Sequence, residues 1–379
     1  MNRKTPFLPD PFLREDGTRV SKPEEWPEQV AYIRRLAQIH MYGTWPGKPA
    51  SLTGRITRIE PALWGKATRE WITLTVDGQW ELNLEYVYPA GLTHFPVIVY
   101  NTNHTGMRCR LETEILSAGY AIVAFDREMI RPDFQIAKML GYLEQARERT
   151  YPDLPCGDIM AWGWGHSLIA DYLQDRKETG ALICTGHSRG GKAALCAGIF
   201  DERFQVVAPM GSGCGGAGTA RFSGTLALDR QDEKVCETVG SMAHMFPTWM
   251  CAKYAEYGPK EPPYAIGEEV ESFPLDAHML RAACAPRAVF NSEGMEDLWA
   301  NAFGTQLARD AAQKVFEFLS VPNRNGFHIR PGGHDFNYAD WAALIDFCDI
   351  VLQRERSMPQ ADTTKRIFVI DLKKYAPWA

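Results

Sequence analysis

Between residues 181 and 200 the chain passes from a short apolar run, Ala181-Leu-Ile-Cys-Thr185, to an Ala/Leu-rich run, Ala193-Ala-Leu-Cys-Ala197, and the join reads Gly186-His-Ser-Arg-Gly190. The first run suits a buried strand and the second a helix. A G-x-S-x-G sequence at such a join puts a serine on a sharp strand-to-helix turn, because the glycines two residues to either side remove Cβ atoms that would collide there. The Ser188 oxygen is then lifted at the carboxyl edge of a sheet. The following helix presents its positive end to it, and the backbone N–H of Arg189 faces the place where an acyl oxyanion would form. An ordinary turn with a small residue would leave the crowded glycines, Arg189 and Lys192 without explanation.

The rest of the chain supplies a sheet for this turn. Ser21-Lys-Pro-Glu-Glu25 has the cap and acidic first turn of a helix, with apolar positions at Val30, Ile33, Leu36 and Ile39. From Leu52 to Pro89 the period shortens to two, and the Asp77-Gly78 step predicts a hairpin, so antiparallel strands form one sheet edge. The solid apolar runs at 96–101, 120–126, 204–210, 287–294 and 326–334 read as buried parallel strands, with helices at 110–118, 158–175, 302–319 and 338–353. Trp162, Trp164 and His166 read as packing residues of the 158–175 helix. The predicted fold is an α/β-hydrolase fold, a mostly parallel central sheet with antiparallel N-terminal edge strands and helices on both faces. Its expected divisions are an N-terminal arm and helix at 1–50, the hydrolase domain at 51–357 and a C-terminal tail at 358–379. An insertion at about 219–275, polar from Arg221 to Lys234 and aromatic and helical over Ser241–Glu256 with an interruption at Pro247, is expected to overhang the serine like a lid.

A serine hydroxyl needs a histidine base, and the base needs a carboxylate to orient it. His334 closes Pro331-Gly-Gly-His334 at the end of the last predicted strand, the late position that this fold reserves for the base. For the acid, Gly294-Met-Glu-Asp297 offers Asp297, with Glu296 as the alternative. His187, beside the serine, is expected to point away from it, and His278 to make structural hydrogen bonds. The glycine run Gly211-Ser-Gly-Cys-Gly-Gly-Ala-Gly218 lacks the Gly-Lys-Ser/Thr ending of a phosphate loop and reads as part of the site.

The net charge of −6 over 379 residues comes with no basic block, which argues against nucleic acid as a partner. No apolar run reaches the ~18 residues that a membrane span requires, and no apolar segment follows the basic N-terminus. The nine cysteines form no CxxC pair and read as buried thiols in a reducing compartment, so a cytoplasmic location is expected, or secretion if a leader has been removed.

With these residues in hand, the chain resembles the glucuronoyl esterases of carbohydrate esterase family 15 and their bacterial relatives labelled acetyl xylan esterase-like. The resemblance runs over residues 90–345 and rests on Gly186-His-Ser-Arg-Gly-Gly-Lys192, Phe200-Asp-Glu-Arg203, Gly213-Cys-Gly-Gly216, Asp276-Ala-His278, Ala285-Pro-Arg287, Glu296-Asp-Leu-Trp299 and Gly332-Gly-His334. It implies a serine esterase that cleaves esters of a glucuronic acid carboxylate, without metal or organic cofactor. Arg189 would supplement the oxyanion hole, Lys192 would bind sugar hydroxyls, Trp299 could stack on the sugar, and Trp249 of the insertion joins them as a substrate-binding candidate. The chain departs from the family pattern where His187 and Asp335 replace cysteines that pair in many members, and where Gly211 stands in place of a glutamate that serves several as catalytic acid. Alternatives are an acetyl or feruloyl carbohydrate esterase, an esterase for another small ester, or a silent binding protein on the same fold.

Overall fold

The computed structural model describes residues 7–102, 111–223, 236–358, 360–364 and 366–379. The alternating stretch forms strands β1 (Leu52–Ala62), β2 (Ala67–Val76) and β3 (Trp80–Pro89). The later apolar runs form β4 (Phe95–Thr102), β5 (Ala121–Asp126), β6 (Thr179–His187), β7 (Phe204–Met210), β8 (Ala288–Gly294) and β9 (Asn325–Arg330). All nine make one sheet in the order β1-β2-β3-β5-β4-β6-β7-β8-β9. The pairings from β1 to β3 and between β3 and β5 are antiparallel, and those that follow are parallel. Asp77 and Gly78 take positive φ of 52° and 67° in the turn that sets Val76 opposite Trp80. β1 is the outer edge, exposed along most of its length, and its register with β2 slips by one residue between Ile56 and Arg58.

Alternation along the central strands divides the core into two layers. Val97 and Val99 of β4 face a cluster built from the helices Trp26–Ala37, Asp158–Leu173 and Arg189–Phe200. Ile98 between them faces the opposite cluster, closed by the helices Glu112–Ser117 and Tyr338–Val351. Trp162, Trp164 and His166 are buried in the Asp158–Leu173 helix, whose Gly163 comes so close to the helix Arg189–Phe200 that a Cβ would lie 3.0 Å from Ala193 O. The two ends of the described chain share a third patch. Leu8 N–H donates to Tyr375 O at 2.8 Å, Trp378 Nε1 to Leu8 O at 2.7 Å, and His278 to Pro9 O at 2.7 Å.

Asp276 caps the helix Ala277–Ala282 and takes N–H groups from Ala277 and Ala220, the Thr219 hydroxyl and the Arg221 guanidinium. The aromatic stretch is an α-helix over Val239–Met245, breaks at Pro247 and resumes as the 3-10 helix Ala252–Tyr257. Cys109, Arg110 and most of the polar stretch from Arg221 to Lys234 lie outside the described residues.

The Arg221–Asp276 pair is buried, at 4% and 2% exposure, with N···O at 3.0 Å. Asp276→Ala leaves the arginine without its carboxylate and should destabilise the fold by about 3–5 kcal/mol. The check is a urea titration, in which the midpoint falls and the slope is retained; an unmoved midpoint would show that the pair is not needed.

Candidate active site

Ser188 has φ 57° and ψ −124°, a conformation that a residue with a Cβ rarely adopts, and it caps the helix Arg189–Phe200. Its neighbours explain why the turn closes. A Cβ on Gly186 would meet Asn101 Nδ2 at 2.4 Å, one on Gly190 would meet Asn101 Oδ1 at 2.3 Å, and one on Gly191 would meet Met210 O at 2.7 Å. Asn101, from the end of β4, donates to Gly190 O at 2.8 Å. Ser188 N–H donates to Met210 O at 2.9 Å. The turn is thus tied to β7, the strand that leads into the glycine loop.

His334 lies beyond β9, after Gly332 at φ 97°, and its Nδ1 is 2.5 Å from Asp297 Oδ2. The other oxygen of Asp297 accepts the Ala300 N–H at 3.0 Å. Burial pushes the Asp297 pKa up, but the hydrogen bond and charge of His334 outweigh it and hold the carboxyl below its ordinary range, so it is ionised at neutral pH. Glu296 is exposed and contributes its backbone N–H, to Gly332 O at 3.1 Å. The structure therefore brings Asp297, and not Glu296, to His334. A Cβ on Gly211, the residue after Met210, would lie 3.8 Å from His334 Cε1, so the histidine borders the same corner of β7 that holds Ser188. His187 does not face away from this group: its ring centroid is 4.5 Å from that of His334.

Arg189 and Lys192 occupy the first turn of the nucleophile helix. Arg189 reaches Asp133 at 2.5 Å and lies over the rings of Trp249 and Phe246, at 4.8 and 5.4 Å from the centroids. Lys192 is buried, and its Nζ donates to Ser212 O in the glycine loop at 2.5 Å and to Glu237 at 2.7 Å. Burial raises the Glu237 pKa, and Lys192 works against that rise. Trp249 is only 3% exposed, with Phe246 stacked on it at 3.8 Å, so it supports the two cations and offers no open face to a sugar. Trp299 is 37% exposed, and its carbonyl accepts the Glu237 N–H at 2.9 Å, so its backbone adjoins the residue that pairs with Lys192. Asp133 and Glu237 escaped the sequence reading. Asp133 caps the helix Phe134–Leu140, and Arg131-Pro-Asp133 carries a cap signal, but no local pattern reveals the ion pair.

Together the groups offer a serine at a helix N-terminus, an imidazole hydrogen-bonded to an ionised carboxylate, and a cation one residue from the serine. That set suits acyl transfer. Among the described residues no group of three or more His, Cys, Asp or Glu side chains is arranged to hold a metal.

A family model described as "Glucuronyl esterase, fungi" matches residues 73–320. A carbohydrate esterase of an unknown prokaryotic organism is 29% identical, with 90% of this chain and 89% of that protein aligned. The 4-O-methyl-glucuronoyl methylesterase of Schizophyllum commune is 27% identical, over 89% of this chain and 79% of its own length. Among solved structures, a family 15 glucuronoyl esterase from Caldicellulosiruptor kristjansonii superposes with a TM-score of 0.77 at 30% identity, covering 97% of this chain and 95% of that one. One from Solibacter usitatus gives 0.75 at 25% identity, covering 93% of this chain and 100% of its own.

Two outcomes follow from the geometry. Asp297→Asn should lower kcat by roughly 10⁴-fold, as loss of the orienting carboxylate does elsewhere, whereas Glu296→Gln should change it little; steady-state rates of the two variants on one ester decide the ranking. The second concerns acid stability. Burial depresses the pKa of His166 and His278 to about 4 and that of His187 to about 3. The unfolded chain therefore binds more protons below the ordinary histidine pKa of about 6.5. Stability is complete above that value and is lost as pH falls towards the folded values, by up to about 1.4 kcal/mol per pH unit for each histidine. Urea unfolding at pH 7.5 and 5.5 should show the loss, and equal stabilities would contradict it.

Proposed function

This chain belongs to the glucuronoyl esterase family, and on that premise we propose that it hydrolyses esters of a glucuronic acid carboxylate with Ser188 as nucleophile, His334 as base and Asp297 as the orienting acid. The observation that carries this reading is the His334–Asp297 hydrogen bond at 2.5 Å, made at the corner of β7 to which the Ser188 turn is also tied. Ser188 Oγ attacks the ester carbonyl while His334 accepts its proton. The carbonyl oxygen gains the negative charge, and the Arg189 N–H and guanidinium stabilise it. Collapse breaks the bond to the alcohol, which leaves with the proton from His334. Water, activated by the same imidazole, then cleaves the acyl-enzyme and restores the serine.

Three features support a sugar acid as the substrate. Lys192, on the helix that follows Ser188, and Glu237 form a buried polar pair, the partly exposed Trp299 meets Glu237 through its carbonyl, and a fungal relative is named for the methyl ester of 4-O-methyl-glucuronic acid. Asp133 holds the Arg189 guanidinium, so this cation is pre-oriented and needs no reorganisation as charge develops.

A reducing, cytoplasmic setting belongs to the same proposal. It rests on the free thiols of Cys156, Cys184, Cys196, Cys214, Cys251, Cys284 and Cys348, and on His187 and Asp335, which leave no cysteine beside Ser188 or His334 in sequence. Among the described residues no helix is long and apolar enough to cross a membrane.

The deciding measurement sets methyl glucuronate against acetylated xylan. The wild type should cleave the glucuronate ester with the higher kcat/KM, and Ser188→Ala should abolish turnover of both while the protein remains folded. Preference for acetylated xylan would move the sugar from the acid to the alcohol side of the ester. Lys192→Met should raise KM for the glucuronate ester, because it removes the cation that holds Glu237 and the glycine loop beside the site; the KM of the variant on methyl glucuronate checks this, and an unchanged value would contradict it.

A further inference from the structure

Among the described residues His334 is held by one side-chain hydrogen bond, to Asp297, and its side chain is 37% exposed on a loop that contains Gly332 and Gly333. A single bond of that kind fixes one nitrogen and leaves the imidazole plane free to swing about it. The ring of His187 stands where that swing would begin, with its centroid 4.5 Å away and the planes at 40°. His187 is itself backed by other rings. Phe336 stacks on it at 6.0 Å and 23°, Trp341 stacks on Phe336 at 4.4 Å and 16°, and Tyr100 meets both Phe336 and Trp341 edge-on. This series of rings runs from the exposed histidine to Trp341, which is 3% exposed in the second core layer.

On its other side His187 lies against Gly211, where an added Cβ would come within 3.0 Å of its Nε2. That nitrogen is buried and has no hydrogen-bond partner among the described residues, so the ring acts here through its face and its bulk. Burial and the neighbouring His334 lower the His187 pKa to about 3, with smaller opposing effects from Asp297 and Asp335 and a further lowering by Arg330. The ring is therefore neutral at every pH where the esterase reaction would be run, and it does not oppose the imidazolium that forms on His334 during turnover.

We infer that His187 is a positioning residue for His334: its ring, braced by Phe336 and fitted against Gly211, holds the imidazole in the plane that keeps Nδ1 on Asp297 and leaves the other nitrogen on the side of Ser188. The inference rests on the reading of His334 as the catalytic base. Its physical content is that a small misorientation of a catalytic group costs rate and leaves substrate binding untouched.

The test compares His187→Ala, His187→Phe and His334→Ala on one glucuronate ester, with thermal unfolding followed in parallel. His187→Ala should lower kcat by about 10- to 100-fold with KM within about twofold, and His187→Phe, which restores a ring without the nitrogens, should return kcat to within about threefold of wild type. A His187→Ala enzyme with unchanged kcat overturns the inference, as does a His187→Phe enzyme that is folded yet as slow as His187→Ala. His334→Ala separates the two levels of the argument: if it keeps full activity, the base assignment fails, and if it is inactive while His187→Ala is normal, only the positioning role fails.

Discussion

The structure depends on a crowded turn. Ser188 is held at positive φ because Gly186, Gly190 and Gly191 let Asn101 and Met210 come closer than any side chain would allow. Such a conformation costs of order 1–3 kcal/mol and persists only where its surroundings over-determine it. Here the constraint comes from two strands at once, through the Asn101 bond to Gly190 O from β4 and the Ser188 bond to Met210 O from β7. The place of the serine is thus a property of the sheet, and the functional loops are arranged around a point that cannot move alone.

The same turn places two cations where a helix least favours them. Arg189 and Lys192 stand in the first turn, at the positive end of the helix dipole. Each is answered by a carboxylate from a distant part of the chain, Asp133 for Arg189 and Glu237 for Lys192. Charges taken out of water in this way are costly to leave unpaired. The pairs therefore pin the segment after β5 and the segment after the glycine loop to the nucleophile helix. The Trp249 segment is fastened as well: the Thr248 and Trp249 carbonyls accept N–H groups from Asp158 and Ile159 at the start of the long buried helix, at 2.9 and 3.1 Å.

Where structure is carried by local pattern, the sequence was readable. The strand-to-helix switch around Ser188, the alternation of β2 and β3, the apolar runs of the parallel strands and the Gly-Gly-His end of the last loop all arise from interactions within a few residues. Asp297 could be preferred over Glu296 from its place after Gly294, but their different fates depend on burial, since one is 5% exposed and the other lies open to solvent. Asp133 and Glu237 were invisible because their meaning lies in partners 56 and 45 residues away. The orientation of His187 failed for a related reason. The turn alone aims that ring away from the serine, but Gly211, with no Cβ, leaves room beside His334, and an aromatic ring fills it.

β1 closes the sheet with an outer edge eleven residues long, and it carries Ile56 and Ile59 in the open, 41% and 60% exposed. An unpaired apolar edge of this length is a template on which a second chain could add a strand. The slip in register between Ile56 and Arg58 breaks the run of free N–H and C=O groups near its middle, Arg55 and Arg58 put like charges along it, and Pro61 removes a donor near its end. The strand that lies farthest from Ser188 in the sheet order thus carries features that oppose edge-to-edge joining of concentrated molecules into a continuous sheet.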